Sequence, residues 1–439
     1  MSENAVSEPL DYRTPEQHQA AVGGNVPGAY EMPLEEINPV NAHLFKENRW
    51  QEVFERLRAE DPVHFNEIPS AGRYWSITKY ADIKRVDQDW QSFSSAHGIT
   101  IGFPIGVEPP TVFQGSSAAF IAQDPPEHDE QRKTVASVAA PRNLANLEPL
   151  IRERTSRLLD SLPVNETFDW VDNVSIELTT MMLATLFDFP FDDRRKLTRW
   201  SDVVFAIPEP GGIVETQEQK RDEFNECVGY FARLWEERRQ NPGNDLVSML
   251  VHGEATRDMH VGEHLGNLLL LIVGGNDTTR NTMSGSVYAL NKFSEQYDKL
   301  RANPALIPQM VAEVIRWQTP LSYMRRTATK DVEVAGKLIR KDDQVLMWYV
   351  SGNRDAEVFA DADVLDIERR NARQHLSFGF GLHRCMGNRL AELQLRVLWE
   401  ELLPRFERVE VMGEPSYTFS SFVKGYTHLP VRLIPKQAS

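Results

Sequence analysis

The amino-acid sequence predicts a mostly α-helical fold with a small β portion, built as a single large domain. Six long stretches repeat apolar residues at helical spacing, whereas only four short stretches have the composition of strands. No Gly/Ser-rich or Pro-rich linker occurs between residues 40 and 435, so we assign residues 41–439 to one domain. Residues 1–40 are polar with interspersed Pro and Gly, and we expect them to form an extended arm.

The predicted helices and strands follow one another without an internal repeat. Each helix has an apolar stripe with spacings of three and four residues, as at Leu390, Leu393 and Val397. Each strand is short and rich in Val, Ile, Trp or Tyr. The helices cover about 145–161, 173–188, 216–240, 258–292, 308–317 and 387–403, and the strands cover 74–77, 332–334, 344–349 and 431–434.

Composition limits the functions open to the chain. The net charge of −16 argues against nucleic acid as a partner. No run of 18 apolar residues occurs and the N-terminus lacks a signal-peptide pattern, so we expect a cytoplasmic protein without membrane insertion. The chain has two cysteines, far apart in sequence, which leaves no disulfide framework.

The most informative segment is residues 378–387, Phe-Gly-Phe-Gly-Leu-His-Arg-Cys-Met-Gly, which contains Cys385. Its glycines permit a tight turn and a close approach of the backbone to a flat ligand. A helical pattern starts directly after the cysteine, and the N-terminus of a helix favours a thiolate over a thiol. A thiolate framed by glycines suits an axial ligand of haem iron. The alternative interpretation is a buried structural cysteine in a loop.

The spacing Phe-x-x-Gly-x-His-x-Cys-x-Gly resembles, at every fixed position, the haem-binding loop of the cytochrome P-450 superfamily. This resemblance implies the cytochrome P-450 fold and a haem b whose iron is bound by Cys385, with Phe378 as a further cofactor contact. It also implies that the haem lies between this loop, here called the proximal loop, and the long helix predicted at 258–292. We call that helix the distal helix. A thiolate ligand favours cleavage of the O–O bond over reversible oxygen binding.

The distal helix contains a polar run, Asn276, Asp277 and Thr278, after a glycine pair that begins at Gly274. Residues four apart share a helix face, so Leu270, Gly274 and Thr278 are expected to lie together. The glycine would leave room for a small molecule, and an acid beside an alcohol can relay protons. The structural alternative is a kinked core helix in which the threonine hydroxyl bonds to a carbonyl one turn earlier.

The same segment resembles the oxygen-binding stretch of the cytochrome P-450 distal helix, small-Gly-x-acid-Thr. The resemblance implies catalytic proton-delivery roles for Asp277 and Thr278. Asn276 departs from the family pattern, in which many members have an apolar or small residue there. The sequence offers no physical reason for this asparagine.

Glu313 and Arg316 lie three residues apart in a predicted amphipathic helix, so their side chains share one face. Taken alone, such a pair is typical of a solvated salt bridge. Its position before the cysteine loop, with Arg369 between them, resembles the Glu–Arg–Arg network of the superfamily. The resemblance implies that Glu313, Arg316 and Arg369 have a structural role in bracing the proximal loop.

Haem carries two propionates, which need cations or hydrogen-bond donors. His128 and Arg132 lie four residues apart in a helix that two prolines would start, similar to the family's His-x-x-x-Arg propionate clamp. Arg326 and His383 match the remaining clamp positions. Each of these side chains alone is compatible with a solvent-facing position, whereas their joint spacing implies a cofactor-binding set.

Several apolar segments are candidates for a substrate pocket. Three of these segments are the loop at 98–113, the hairpin tip at 420–424 and the connection at 208–212. We interpret the connection at 208–212 as a mobile lid. They carry little charge, which favours a hydrocarbon-like ligand. The predicted pocket residues are Leu270, Val273, Gly274, Leu321, Phe103 and Phe422.

Residues 274–283 and 385–392 resemble the soluble bacterial alkane hydroxylases of this superfamily. The resemblance implies a monooxygenase that uses O2 for terminal (ω) hydroxylation of a linear apolar substrate, a medium-chain alkane or fatty acid. No flavin or nicotinamide fingerprint is found, and the resemblance implies electrons from a ferredoxin and its NAD(P)H-dependent reductase. The alternatives are a sterol, terpene or secondary-metabolite substrate, or a non-catalytic haem-thiolate sensor. A sensor is disfavoured because it needs no acid–alcohol pair.

Overall fold

The computed structural model describes residues 26–68, 71–102, 119–206, 208 and 211–436 of the chain. Within these ranges helices predominate and the strands form four small sheets, so the mostly α prediction with a minor β portion is confirmed. No helix in this part of the chain is both long and apolar enough to cross a membrane.

The helices of the described ranges are numbered here in chain order. They are Ala42–Lys46 (α1), Trp50–Glu60 (α2), Tyr80–Gln88 (α3), Glu127–Val135 (α4), Pro141–Ser161 (α5), Glu177–Leu186 (α6), Arg195–Phe205 (α7), Gln217–Gln240 (α8), Leu246–His252 (α9), Val261–Lys292 (α10), Ser294–Ala302 (α11), Ile307–Gln318 (α12), Tyr349–Gly352 (α13) and Asn388–Arg405 (α14).

The strands are numbered in the same way. They are Val63–Ile68 (β1), Gly72–Ile77 (β2), Phe93–Ser94 (β3), Thr167–Asp169 (β4), Met324–Ala328 (β5), Val332–Val334 (β6), Lys337–Ile339 (β7), Gln344–Met347 (β8), Phe406–Val411 (β9), Ser416–Tyr417 (β10), Tyr426–His428 (β11) and Pro430–Pro435 (β12).

Local hydrogen bonds and backbone conformation determine where several of the helices begin or end. The Thr216 hydroxyl accepts a hydrogen bond from the Gln219 amide and starts α8, and Glu263 accepts one from the His260 amide at the start of α10. At the end of α12, Thr319 adopts a left-handed conformation with φ of 42°, which stops the helix.

The largest sheet has the strand order β1-β2-β8-β5-β3. β2 and β8 pair in parallel, with Trp75 opposite Val345, and β5 pairs antiparallel to β8, with Arg326 opposite Val345. A second sheet has the order β4-β12-β9. Because β5 has neighbours on both sides, Arg326 is held on an interior strand.

The core surrounds the distal helix, α10. This helix packs against α6, α7, α12 and α14, and α14 packs in turn against α5. Trp399 of α14 is fully buried and donates a hydrogen bond to the Ser286 hydroxyl of α10 at 3.0 Å. The distal helix is therefore tied to the helix that follows the cysteine loop.

Each predicted helix and strand has a counterpart in the structure, with one clear correction. The strand predicted for 344–349 ends at Met347. The amide of Asn353 bonds back to the carbonyl of Tyr349, and the amide of Ser351 to that of Trp348, so the chain turns into α13. Eight of the twelve strands in the described ranges, among them β1, β5 and β9, and several helices, among them α2 and α7, were not predicted.

Part of the predicted arm lies within the described residues. Ala29 and Ile37 are fully buried there, and the Ile37 carbonyl accepts hydrogen bonds from His64 at 2.9 Å and Asn66 at 2.7 Å. This end of the arm thus packs against β1. Residues 1–25 lie outside the described residues.

Candidate active site

The cysteine loop connects the end of the β-rich region to α14. Gly379 and Gly381 have φ angles of +65° and +69°, a region that favours glycine. A Cβ atom on Gly381 would lie 2.9 Å from the Asp87 carbonyl oxygen, so this turn also needs the missing side chain. The Cys385 amide donates to the Phe378 carbonyl at 2.8 Å and closes the loop.

Cys385 is exposed and lies two residues before the cap of α14. Desolvation by the surrounding protein atoms raises the pKa of the thiol, while the amides of Gly387 and Asn388 and the cations Arg132 and Arg384 lower it. The amides at the start of α14 thus lower the pKa of the thiol, as predicted, but desolvation raises it by more. Metal binding requires the deprotonated form, which the same donors would stabilise.

Two histidines meet beside this loop with unused ring nitrogens. His128 of α4 and His383 have ring centroids 4.2 Å apart in an edge-to-face arrangement. Burial lowers the pKa of both, that of His383 to about 2. His128 Nε2 and His383 Nδ1 are buried and have no hydrogen-bond partner within the described ranges. Buried polar atoms are normally satisfied, and a propionate would accept from Nδ1 of a neutral His383. It would accept from Nε2 of a protonated His128, because Nδ1 of that ring already donates to the Asp129 carboxylate.

Two arginines converge on the same region. Arg132 of α4 donates to the Arg384 carbonyl of the cysteine loop at 2.5 Å. Arg326 of β5 is 2% exposed, and its guanidinium donates to the Asp87 carboxylate at 2.7 Å. The structure therefore brings together all four residues predicted to bind the propionates, from three separate chain segments, and their donor set fits haem.

Asp87 of α3 was missed by the sequence analysis. One of its carboxylate oxygens accepts from Arg326, and the other accepts from the Tyr349 hydroxyl and the Phe380 amide, each at 2.8 Å. Asp87 lies on the apolar face of its helix beside Ile83 and Val86, all buried. An acid at a position where the helical pattern demands burial was the available signal.

Glu313, Arg316 and Arg369 form one buried network. Glu313 accepts two parallel hydrogen bonds from Arg316, at 2.7 and 2.8 Å, and one from Arg369 at 3.0 Å. The side chains of Glu313 and Arg316 are 0% exposed, which excludes a solvated surface salt bridge. Bidentate pairing satisfies both charges away from water.

Asn353 extends this network toward the cysteine loop, and it too was missed. Its carbonyl accepts from Arg316 at 2.7 Å, and its side chain accepts from the Leu376 amide at 2.7 Å and donates to the Ser377 hydroxyl at 2.9 Å. Leu376 and Ser377 directly precede Phe378. Asn353 thus transmits the position of α12 to the start of the loop.

The distal helix runs without a break through the glycine pair. Leu270, Val273 and Thr278 are half-buried and Gly274 is exposed, so these residues form one open face. A Cβ atom on Gly274 would meet nothing within 4 Å, whereas one on Gly275 would lie 2.9 Å from Leu183 of α6. Gly274 therefore borders open space and its neighbour permits close helix packing.

The two predicted proton-delivery residues face different surroundings. The Thr278 hydroxyl donates to the Gly274 carbonyl at 2.9 Å, the bond that the structural alternative predicts, yet it remains on the open face. Asp277 is 3% exposed and turns toward α7, where Ser201 donates to it at 3.1 Å, and Arg280 pairs with it at 2.9 Å.

Burial raises the pKa of Asp277 to about 6, against the lowering effect of Arg280. Arg280 is shared, because it also pairs with Asp202 of α7 at 2.8 Å. Nothing in the spacing of the sequence indicated Ser201 or Asp202, since both reach Asp277 and Arg280 across a helix interface.

The predicted substrate residues lie at several distances from this face. The Ser322 amide donates to the Phe422 carbonyl at 2.8 Å, and Leu321 forms a bridge with Val423, so the hairpin tip is held beside the segment after α12. Leu321 is half-buried, whereas Phe422 is 7% exposed and packs edge-to-face on Tyr323. Residues 103–113 of the first loop, which include Phe103, and residues 209–210 of the connection at 208–212 lie outside the described residues.

Comparison with known proteins agrees with this arrangement. The Cytochrome P-450 family matches residues 33–425. Linalool 8-monooxygenase of Pseudomonas putida is 35% identical over 405 residues, which cover 90% of this chain and 98% of that protein. Methyl-branched lipid omega-hydroxylase of Mycobacterium tuberculosis is 32% identical over 395 residues, or 86% of this chain and 90% of that protein.

A solved structure of similar overall shape is a family-153 cytochrome P-450 from Novosphingobium aromaticivorans. It shares 45% identity and a TM-score of 0.81, covering 90% of this chain and 99% of that one. A cysteine loop that leads into a helix, with two histidines and two arginines beside it, has the donor set of a haem-thiolate protein. The chain belongs to the cytochrome P-450 family. It is a monooxygenase, and its cofactor is haem b with the Cys385 thiolate on the iron.

Proposed function

We propose that this monooxygenase hydroxylates the terminal carbon of medium-chain alkanes or fatty acids, with electrons from a ferredoxin and its NAD(P)H-dependent reductase. The observation that carries the proposal is the polarity of the distal helix. Its open face consists of Leu270, Val273, Gly274 and Thr278, whereas its charged residues Asp277 and Arg280 are buried on another side. An apolar open face favours an apolar substrate.

Terminal oxidation needs shape rather than intrinsic reactivity. A terminal methyl C–H bond is stronger than the neighbouring methylene C–H bond, so an unconstrained chain would react at the subterminal carbon. We propose that Leu270, Val273 and Leu321 narrow the site so that only the chain end reaches the reacting centre, with Phe103 and Phe422 further out. The name of the mycobacterial relative, an omega-hydroxylase, supports this regiochemistry.

Bound haem supplies the activation of O2, and the thiolate ligand promotes O–O cleavage. We propose that the chain contributes the protons. Thr278 presents a hydroxyl on the open face, next to the space that Gly274 leaves. Asp277, with its pKa raised to about 6, holds and releases a proton near neutral pH, as an acid–base group in proton transfer must.

We propose that His128, Arg132, Arg326 and His383 hold the haem propionates and that Phe378 packs beside the cofactor. The two histidines offer unused nitrogens, and the two arginines offer charge. Glu313, Arg316 and Arg369 serve the loop indirectly through Asn353.

A terpene substrate is the second candidate. It is favoured by one specific observation, that the 35% identical relative from Pseudomonas putida is named for its action on linalool. Both candidate substrates require an apolar pocket, so the pocket shapes that they need differ, whereas the polarity of the pocket does not.

A substrate panel separates the two candidates. The haem-loaded enzyme is supplied with ferredoxin, reductase and NADH, and products from C8–C12 alkanes, C8–C12 acids, linalool and a sterol are resolved by gas chromatography. Terminal alcohols from the linear chains as the main products are expected. Turnover of linalool without hydroxylation of any linear chain would transfer the assignment to the second candidate, and turnover of the sterol alone would contradict both.

A further inference from the structure

Asn276, the residue of the distal helix that the sequence does not explain, makes contacts on three sides. It is 0% exposed in the middle of α10. Its side-chain oxygen accepts from the Thr179 hydroxyl of α6 at 3.0 Å and from the Thr198 hydroxyl of α7 at 3.4 Å. Its side-chain nitrogen donates to Asp277 Oδ1 at 3.1 Å.

These contacts determine which way the amide points. The Asp277 carboxylate decides this orientation and Thr179 does not, because the Thr179 hydroxyl, which also lies 3.0 Å from the Ser175 carbonyl, has one proton and can accept as well as donate. Rotating the amide by 180° would place the Asn276 oxygen against the Asp277 carboxylate and the nitrogen against two hydroxyl groups. A carboxylate accepts only, so that arrangement would set two acceptors against each other. The observed orientation therefore directs an N–H group at Asp277.

We propose that Asn276 is a positioning residue that holds the Asp277 carboxylate in the orientation in which it meets Ser201 and Arg280, by tying it to α6 and α7. The proposal rests on the proton-delivery role proposed for Asp277. It accounts for a polar residue at a fully buried position, where an unsatisfied amide would destabilise the fold.

The other groups that face Asp277 do not replace this contact. Ser201 of α7 donates to the second carboxylate oxygen at 3.1 Å, and the Arg280 guanidinium lies 2.9 Å from the first. Arg280 pairs with both Asp277 and Asp202, and because Asp202 belongs to α7, the position of Arg280 depends on that helix. The amide of Asn276 donates to Asp277 alone among the described contacts, and it is anchored through its own oxygen.

A hydrogen bond to the ionised carboxylate stabilises that form and lowers its pKa. Hydrogen bonds to charged groups contribute about 1.5–3 kcal/mol, which corresponds to about 1–2 pKa units. Burial already raises the pKa of Asp277 to about 6. Loss of the Asn276 donor is therefore expected to raise it further, by about 1–2 units.

The test compares Asn276→Leu with Thr179→Val in the haem-loaded protein. The first removes the donor to Asp277, and the second removes a contact of Asn276 with α6 without touching Asp277. The pKa of the carboxyl is read from the infrared C=O stretch of its protonated form across pH, assigned by its loss in Asp277→Asn. Asn276→Leu should move the midpoint upward by about 1–2 units, and Thr179→Val by less than about 0.5 unit.

Turnover provides the second readout. Asn276→Leu should keep the substrate-induced spectral Kd within about twofold and lower the product formed per NADH about fivefold, with peroxide rising to match. An unchanged carboxyl midpoint in Asn276→Leu, or a larger shift in Thr179→Val than in Asn276→Leu, would overturn the role of Asn276. A shifted midpoint with full coupling would instead contradict proton delivery by Asp277. If Asn276→Leu does not bind haem, the same results are expected for Asn276→Val, which introduces a smaller side chain.

Discussion

The Asp87 carboxylate and the Arg326 guanidinium form a buried ion pair, 2.7 Å apart, between α3 and β5. The other carboxylate oxygen accepts from the Phe380 amide of the cysteine loop and from the Tyr349 hydroxyl. One carboxylate thus joins a proposed propionate ligand to the loop that carries the iron ligand. Shifting either element would leave a buried charge without its partner, which is costly.

Replacing Asp87 by Asn should weaken both the fold and its hold on haem. The substitution keeps the shape but, in the haem-free protein, leaves Arg326 buried without a counter-ion, which costs about 3–5 kcal/mol of that form's stability. We expect the free energy of unfolding, measured by denaturant titration, to fall by that amount and haem to transfer faster to apomyoglobin. Asp82→Asn, on a less buried part of the same helix, should change stability by no more than about 0.5 kcal/mol. Equal stability of the two variants would contradict the importance of the pair.

Replacement of Cys385 should remove the spectral signature of thiolate ligation. The reduced wild-type protein with carbon monoxide is expected to show the long-wavelength Soret band of a thiolate-ligated haem. In Cys385→His we expect loss of that band and of hydroxylation, with haem content measured separately by pyridine haemochrome. Cys227, which is buried elsewhere, provides the control, because Cys227→Ala should keep the band. An unchanged spectrum in Cys385→Ala would show that another residue binds the iron.

Thr278→Ala should separate oxygen consumption from product formation. The variant loses the hydroxyl on the open face but keeps the substrate pocket, so substrate binding and NADH oxidation should persist while peroxide accumulates. Asp277→Asn should slow turnover itself by about 10²–10⁴-fold, because a positioned proton donor contributes that much. Product and peroxide per NADH are measured side by side. Full coupling in Thr278→Ala would rule out its role.

Shrinking the wall of the pocket should shift the site of oxidation. With octane or a C8–C12 acid we expect mainly the terminal alcohol from the wild type and more subterminal alcohol from Leu270→Ala or Leu321→Ala, since a wider site lets the chain bend. Leu269→Ala is the control, because Leu269 is 5% exposed in the core. It should cost about 2–5 kcal/mol of stability without a change in regiochemistry. Identical product ratios in all variants would count against shape control.

His375 makes stability depend on pH. Burial lowers the pKa of His375 to about 3, whereas the unfolded chain has the ordinary value near 6.5. Between these values the unfolded state binds more protons, so the stabilisation is complete above pH 6.5 and declines as the pH falls. The decline is at most about 1.4 kcal/mol per pH unit. His375→Asn should flatten the curve of unfolding free energy between pH 6.5 and 5. The same slope in wild type and variant would contradict a buried neutral ring.

The sequence by itself determined the elements whose information is local. The cysteine loop needs two glycines with positive φ at particular positions, and Gly379 and Gly381 adopt those angles. The long helices follow from apolar spacing, so α8, α10 and α12 begin and end within a few residues of their predicted bounds. Local spacing also predicted the shared open face of Leu270, Gly274 and Thr278, because a helix sets that relation without help from the rest of the chain.

Tertiary structure alone decided which side chains meet across elements. Asp87 and Arg326 are 239 positions apart in sequence, and no spacing rule relates them. Asp277 turned out to face α7 rather than the open face, because Ser201 and Arg280 hold it there. Asn276 became explicable only through Thr179 and Thr198 on two other helices. Buried polar groups must find partners wherever packing brings them, and packing is a property of the whole fold.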